Sequence, residues 1–542
     1  MHISKILIRN FKCFEENFVL ELDKGLNVLV GNNESGKSTI LEAINLVLSG
    51  VFQGRFLHND LSEHIFNRSA VEAYIKDPKI GPPEVLIELY LDGHGVDEYK
   101  GDGNSLKDKE AAGLKFSVRL DEDWKAEYAE FVKTDISGIP IEFYEICVES
   151  FARKPLKTRA IPLSSAFIDS SSARHQNGSD AYVSRIVRDF LDDKERVALA
   201  KVHREMADSF RSNKEVGEVN KKINTANNLL EGRDISLAVN LAARSAWETN
   251  LITCIDRIPF HFMGKGDQSV AKIAIALAHK KAQNANVLLV EEPENHLSHS
   301  RLNQVVDMMS SAIGEKQIIM TTHSSFVANK ANLSNLIMLH NRKTTRLRDL
   351  DPDTSKFFEK LAGYDTLRLV LCKRAILVEG DSDELVIQKA YKTKFGKLPI
   401  ERGTEVISVG TSFIRFLEVA DKLSKQVTVV TDNDGKVEAL EKKYAKYMDT
   451  SAKPHTRICF ESTVDSRTQL LTGESFNFNT LEPRMLAVNG CSSMKDILGT
   501  EFDDEEKLLK HMHANKTECA LKIFNSTKEI KFPVYIAKAI ED

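Results

Sequence analysis

The sequence has no long apolar run. No stretch approaches the ~18 consecutive apolar residues that span a bilayer, which argues against a membrane protein. The opening MHISKILIRNFKCF lacks the basic, apolar and small-residue order of a secretory leader, so a cytoplasmic location is expected. Disulfide and zinc frameworks are missing too. Seven cysteines lie scattered, with no CxxC pair, and such a set suits a reducing compartment where buried free thiols are ordinary. A positive balance is also absent. With a net charge of −5, bulk charge does not hold nucleic acid, and any DNA contact needs local basic surface or metal ions on carboxylates. The chain shows no internal repeat and no low-complexity linker.

What is present exceeds one hydrophobic core. A chain of 542 residues predicts two or three domains. Hydrophobic residues at 42% and charged residues at 28% are ordinary for a soluble globular protein. KILIRNF and GLNVLVG are short β-branched runs, and STILEAINLVL has apolar residues at helical spacing. EVLIELYLD, KFSVRL and IEFYEICVES continue the strand signal. From about residue 150 the pattern changes. SSAFIDSSSARHQNGSD predicts a polar loop, and 180–250 a charged helical stretch, read either as a solvated arm or as a dimerisation element. Strand–helix alternation returns at ANVLLVEEP and KQIIMTTHS, and a second α/β block begins at RAILVEGDSDELVIQKAY. The expected boundaries are 1–150 and 251–350 for a split first domain, 151–250 for a helical insertion, and 351–542 for a second domain.

Gly31-Asn32-Asn33-Glu34-Ser35-Gly36-Lys37-Ser38 fits the P-loop pattern GxxxxGK[ST], with a strand before it and a helix after it. Backbone N–H groups of such a turn (Gly31, Asn32, Asn33 and Gly36, running on into Thr39) wrap anionic phosphates at a helix N-terminus. Lys37 would reach the terminal phosphates of ATP and Ser38 would ligate Mg²⁺. Val287–Glu292 is an apolar strand ending in paired carboxylates. Glu291 would hold magnesium through water, and Glu292 would orient or deprotonate the attacking water. Thr321-Thr322-His323 ends another strand, where His323 would touch the γ-phosphate. Between P-loop and carboxylates, Gly264–Ser269 leads into a helix whose backbone and hydroxyl donors suit a phosphate held by a second subunit.

In that order these segments resemble the ABC ATPases of the SMC and RecF group. The resemblance assigns Lys37 and Ser38 to the P-loop, Gly266 and Gln268 to a degenerate signature, Glu291 and Glu292 to Walker B, Asn295 to Leu297 to the D-loop, and His323 to the switch. Two departures stand out: Glu replaces the usual Asp at the first Walker B position, and the Leu-Ser-Gly-Gly run is missing. Gln53 and Asp60 are candidates for a Q-loop. Such a site is completed between subunits, which implies a homodimer or a higher even oligomer.

The second block carries a carboxylate set. Glu379 ends the strand Ala375–Val378, with a glycine and further acids after it, and the strand Val427–Thr431 runs into Asp432-Asn433-Asp434. Adjacent parallel strands present their C-terminal ends to one crevice. Carboxylates at i and i+2 there suit a hard cation such as Mg²⁺ or Mn²⁺, and two such ions would stabilise both oxygens of a phosphodiester displacement. The pair resembles the Toprim domain, with Glu379 and Gly380 as its Glu-Gly motif and Asp432 and Asp434 as its DxD motif.

An ABC ATPase followed by Toprim in one chain resembles the OLD family (overcoming lysogenisation defect). The fold implied is α/β: an ABC-type, SMC/RecF-like P-loop ATPase with a helical insertion, then a Rossmann-like Toprim domain. The resemblance adds Asp383 and Glu482 as acidic ligands and Lys516 as a neutralising cation. It implies an ATP-binding, metal-dependent DNA endonuclease or nickase in anti-phage defence, with a helicase or reverse-transcriptase partner. An ATP-driven DNA clamp with a non-catalytic Toprim module stays open as the alternative. Basic clusters at Arg342, Lys343, Arg346 and Arg348 and at Lys389, Lys392, Lys394 and Lys397 would follow a DNA backbone or form solvated faces.

Overall fold

The computed structural model describes residues 1–541 apart from 33, 54, 133–137, 158–159, 170–190, 227–235, 238–251, 313–315, 325–326, 328–332, 361–363, 449–452, 468–469 and 472–473. Strands β1 (His2–Arg9), β2 (Phe18–Glu21) and β3 (Leu26–Gly31) open the chain, and β3 runs through the glycine loop into α1 (Lys37–Ser49). β4 (Val85–Asp92), β5 (Ala112–Leu120), β6 (Tyr144–Ser150) and β7 (Ser165–Asp169) follow. Helices α2 (Asp193–Ser212) and α3 (Lys214–Ala226) precede α4 (Lys265–Ala278), β8 (Val287–Glu291), β9 (Gln317–Thr322), β10 (Leu336–His340) and β11 (Lys343–Arg346). The second block comprises α5 (Tyr364–Leu371), β12 (Arg374–Val378), α6 (Asp381–Phe395), β13 (Thr404–Ser408), α7 (Phe413–Lys422), β14 (Gln426–Val430) and β15 (Thr456–Cys459). Among the helices after β15 are α8 (Leu481–Asn489), α9 (Lys516–Asn525) and α10 (Val534–Ala539).

Three sheets organise these elements. An antiparallel sheet runs β2-β1-β4-β5-β6, a mixed sheet runs β11-β10-β3-β9-β8-β7, and a parallel sheet runs β13-β12-β14-β15. In the mixed sheet the P-loop strand β3 lies between β9 and β10, parallel to both. β7 pairs in parallel with β8. Ser165–Asp169 therefore belongs to the ATPase sheet rather than to the expected polar loop and insertion. α2 and α3 supply the helical character expected of 180–250, and the remainder of that stretch lies largely outside the described residues.

Period-two side-chain alternation decides how the sheets stack. Leu29, Leu289, Ile319, Ile337 and Leu339 join a core with α1 and the antiparallel sheet. The alternate residues Val28, Val30, Leu288, Met320 and Met338 face the other way. That second core continues into Leu369 and Val370 of α5, Ala375 and Leu377 of β12, and Val427 and Val429 of β14. ATPase and Toprim sheets thus share one continuous apolar layer. α5 packs on β3 and β10, and α7 packs on β11. Each fully buried Val or Leu here contributes roughly 1.5–3 kcal/mol, so the two sheets form a joined body rather than beads on a linker.

Polar clamps fix the register of the layers. Gln317, 1% exposed, accepts from the Ile3 amide at 2.9 Å and donates to the Ile3 and Asp23 carbonyls at 2.7 and 2.8 Å. Arg346, itself buried, pairs with Asp23 and donates to the Glu21 carbonyl at 2.5 Å, while Arg348 reaches Asp23 at 2.9 Å. Two members of the first basic cluster are therefore spent on tying β11 to the β2–β3 turn. Lys343 donates to the Ser424 hydroxyl at 2.6 Å.

Candidate functional site

Two glycines of the loop stand where a side chain would not fit. Gly36 has φ 99° and caps α1; a Cβ there would lie 2.7 Å from the Phe14 ring. A Cβ on Gly31 would lie 2.6 Å from the Leu339 carbonyl of β10. Asn32 lies in the same turn, Ser38 and the buried Thr39 follow in the first turn of α1, and Asn33 is outside the described residues. The buried Lys37 ammonium donates to the carbonyls of Gly31 at 2.8 Å and Asn32 at 3.0 Å. Burial pulls its pKa down, opposed by Glu292, Glu294 and Glu291. The Ser35 hydroxyl is buried without a hydrogen-bond partner among the described residues. An orphan donor and an ammonium folded onto its own loop fit an incoming polyphosphate.

Parallel pairing of β8 with β9 sets Glu291 beside Thr321 and brings Glu292 to His323. Glu292 has φ 39°, a strained backbone for a non-glycine residue at a strand end. His323 Nδ1 lies 3.4 Å from Glu292 Oε1 and 3.5 Å from Glu294 Oε1. Pairing with Glu292 raises the His323 pKa, and pairing with His323 lowers that of Glu292. Glu294, missed in the sequence reading, accepts from the Thr322 hydroxyl at 2.6 Å and the His323 amide at 2.9 Å. Its other carboxylate oxygen is buried with no hydrogen-bond partner among the described residues. The signal was there: Glu291-Glu292-Pro293-Glu294 places a third acid just past the strand end.

The signature segment begins α4. Gly266 lies against the D-loop, since a Cβ would meet the His296 carbonyl at 3.0 Å, and Ser269 donates to the Asn295 carbonyl at 2.9 Å. Gln268 is buried and donates to Met263 at 2.8 Å. It therefore shapes the turn, and Lys265, Gly266 and Asp267 remain exposed or half-exposed residues. Gln53 is exposed, and Asp60 pairs with Arg55 at 3.0 Å.

The second site forms where β12 and β14, neighbours in the parallel sheet, end together. Glu379 Oε1 accepts from the Thr431 hydroxyl at 2.5 Å and lies 3.3 Å from the Asp432 amide. Asp383, in the first turn of α6, accepts from the Gly380 amide at 3.1 Å. Asp432 accepts from the Leu481 amide at 3.1 Å, which brings the start of α8 and the buried Glu482 to the same recess. Lys516, the first residue of α9, sets its ammonium 3.3 Å from Glu482 Oε2. Asp434 departs from the group. It has φ 48°, is exposed, and accepts from the Asn477 side-chain Nδ2 at 2.8 Å on the rim.

Like charges meet in this recess. Burial first, then Glu379 and Glu482, push Asp383 up to about 7. Burial, then Asp383, Glu379 and Glu482, raise Asp432 well above the usual carboxylate range. Both keep a partly solvent-reachable face. Crowded hard oxygen donors short of positive charge fit a divalent cation. Among the described residues no three acids already converge on one point as a ligand set. Each carboxylate is instead turned onto a protein donor: Thr431, the Gly380 amide, the Leu481 amide or Lys516.

Comparisons with known proteins follow the same division. The family model described as RecF/RecN/SMC N terminal domain matches residues 2–346. That described as Overcoming lysogenization defect protein-like, TOPRIM domain matches residues 370–434. Structural maintenance of chromosomes protein 6 of Saccharomyces cerevisiae is 55% identical over 47 residues, 9% of this chain and 4% of that protein. Chromosome partition protein Smc of Desulfitobacterium hafniense is 38% identical over 69 residues, 13% of this chain and 6% of that protein. The chain thus spans a small fraction of the length of these curated relatives. Among solved structures, an SmcHead bound to the C-winged helix domain of ScpA is 14% identical, with a TM-score of 0.34 over 64% of this chain and 99% of that one. The SMC head domain from Thermotoga maritima is 15% identical, with a TM-score of 0.28 over 63% and 97%. No helix among the described residues is long and apolar enough to cross a membrane. The chain belongs to the RecF/RecN/SMC N-terminal domain family and joins that ABC-type ATPase to an OLD-like Toprim domain, an architecture consistent with an OLD-family nuclease.

Proposed function

We propose that this chain is an ATP-binding, Mg²⁺- or Mn²⁺-dependent DNA endonuclease or nickase of OLD type, in which the ATPase half regulates Toprim cleavage. One observation carries the reading: Glu379, Asp383, Asp432 and Glu482 share one recess at the ends of adjacent parallel strands, with Lys516 beside Glu482. A DNA clamp has no use for mutually repelling acids at such a place. Glu379, Asp383, Asp432 and Glu482 would hold the cation and Asp434 would join from the rim. When bound, the metal supplies an activated water and charge neutralisation at the phosphodiester. Lys516 would offset negative charge developing on the leaving oxygen. Thr431 and the Leu481 amide hold the carboxylates in place before substrate arrives.

In the ATPase half, Lys37, Ser38 and Glu291 would bind Mg·ATP, Glu292 would orient water, and His323 would sense the γ-phosphate. Gly266 and Gln268 sit at the helix start that would cap the nucleotide of a second copy, so the active form is a homodimer or a higher even oligomer. A role in anti-phage defence beside a helicase or reverse-transcriptase partner follows from the OLD likeness, and a cytoplasmic location is proposed with it. The deciding experiment incubates supercoiled plasmid with Mg²⁺ or Mn²⁺ and wild-type or Asp432→Ala protein. Nicking by the wild type and a loss of about a hundredfold or more in the variant are expected. Equal cutting by both, or ATP-dependent DNA binding with no cutting by either, leaves the clamp reading.

A further inference from the structure

The Lys425 ammonium lies at the seam between the two halves, fully buried at 0% exposure. Its partners among the described residues are neutral: the carbonyls of Val370 (3.1 Å) and Cys372, and His340 Nδ1 at 3.2 Å. A buried cation without a carboxylate is costly. Burial lowers the lysine to about 8 and the imidazole to about 4, so His340 stays neutral and serves as acceptor.

What the ammonium joins gives this geometry its meaning. His340 ends β10, one residue after Leu339, which pairs with Gly31 at the mouth of the P-loop. The Leu339 carbonyl also fills the space that a Gly31 side chain would take. Val370 lies on α5, which packs on β3 and β10. Cys372 leads into β12, which Glu379 directly follows, and Lys425 itself leads into β14, which Thr431 and Asp432 directly follow. Both strands, five residues each, are stiff rods of about 16 Å at ~3.3 Å per residue. Their far ends carry the acids and their near ends meet on one nitrogen. Beside it, Lys343 and Ser424 make a second bond across the same seam.

We infer that Lys425 is a positioning residue that couples nucleotide occupancy of the P-loop to the placement of Glu379 and Asp432. A shift of Gly31 on binding triphosphate moves Leu339 and His340, and the ammonium passes that movement to the roots of β12 and β14. This inference rests on the nuclease reading above and adds the route of regulation to it.

The test uses full-length protein, supercoiled plasmid, excess free Mn²⁺ and a non-hydrolysable ATP analogue. In the wild type the analogue is expected to change the nicking rate about fivefold or more. His340→Leu removes only the cross-seam acceptor and leaves both carbonyls on Lys425. It should bind a fluorescent analogue with an unchanged Kd and nick at the basal rate, with the nucleotide response gone. His340→Gln, which restores an acceptor, should recover the response. Lys425→Met should behave as His340→Leu; if it does not fold, the histidine variants still decide. A wild-type nucleotide response in His340→Leu overturns the inference, as does a wild type that cuts DNA without responding to nucleotide. Absence of cutting by the wild type removes the nuclease reading and the coupling with it, whereas every other result bears on the coupling alone.

Discussion

The Thr431 hydroxyl donates to Glu379 Oε1 over 2.5 Å, across the gap between β14 and β12. It holds a carboxylate that its acidic neighbours would otherwise repel. Thr431→Val keeps the shape and removes the donor. The concentration of Mn²⁺ for half-maximal nicking should rise by about tenfold, with Thr431→Ser close to wild type. A metal titration that superimposes on the wild type would show that the hydroxyl is idle.

Asp383 gives a pH prediction. Its folded-state pKa, about 7, lies above its ordinary value near 3.8. A group raised on folding contributes stability that is full below the ordinary value and is lost as pH rises through the folded one. Metal-free protein should therefore lose thermal stability between about pH 4 and pH 8. Mn²⁺ should restore it, and by more degrees at pH 8 than at pH 6, because at the lower pH the ion must displace a proton. Asp383→Asn should flatten the dependence. Melting curves with equal metal stabilisation at both pH values would contradict this account.

Glu292 and His323 predict a separation of activities. Glu292→Gln keeps the size of the side chain and removes the charge that pairs with His323 and would act on water. ATP turnover should fall by about a hundredfold or more, while nucleotide binding persists. The carboxylates of the Toprim sheet lie on another element, so basal plasmid nicking should remain. Loss of both activities together would place Glu292 outside the role given to it.

Lys516→Ala tests the cation beside Glu482. The cleavage rate should drop by roughly a hundredfold, with little change in melting temperature, because the ammonium is half-exposed. A stability loss without a rate loss would make Lys516 a structural partner.

Arg346→Met removes a buried guanidinium, leaving the Glu21 carbonyl without that donor and Asp23 with Arg348 alone. About 2 kcal/mol of stability should be lost, discounted because Asp23 is partly exposed. Denaturant unfolding measures it. An unchanged midpoint would mean that the clamp between β11 and the β2–β3 turn contributes nothing.

Much of both sites was legible because their grammar is local. A P-loop, a strand ending in Glu-Glu, and a DxD turn each need only a strand, a turn and one or two side chains in order. What was missed depends on distant partners. Ser165–Asp169 reads as a polar loop because serines surround its short apolar stretch, and only pairing with β8 makes it a strand. Arg346 looked available to DNA because Asp23, its partner, lies more than three hundred residues away in the chain. Lys425 carried no motif, since a single lysine before a strand looks like any solvated one. Asp434 belongs to the DxD pattern, yet the left-handed turn at Asp434–Gly435 points it to the rim rather than among the other acids.

The P-loop strand has a consequence for synthesis. β3 is translated within the first few dozen residues, but its hydrogen-bonding neighbours are β9 and β10, and Gln317 supplies the clamp on β1. A ribosome-bound chain therefore carries its nucleotide motif for most of the ATPase half before that motif has anything to lean on. The long-range pairing it awaits is of the slow-forming kind. β10 emerges just before the Toprim half begins to appear, so both parallel neighbours of the P-loop strand are translated before the first acid of the second recess.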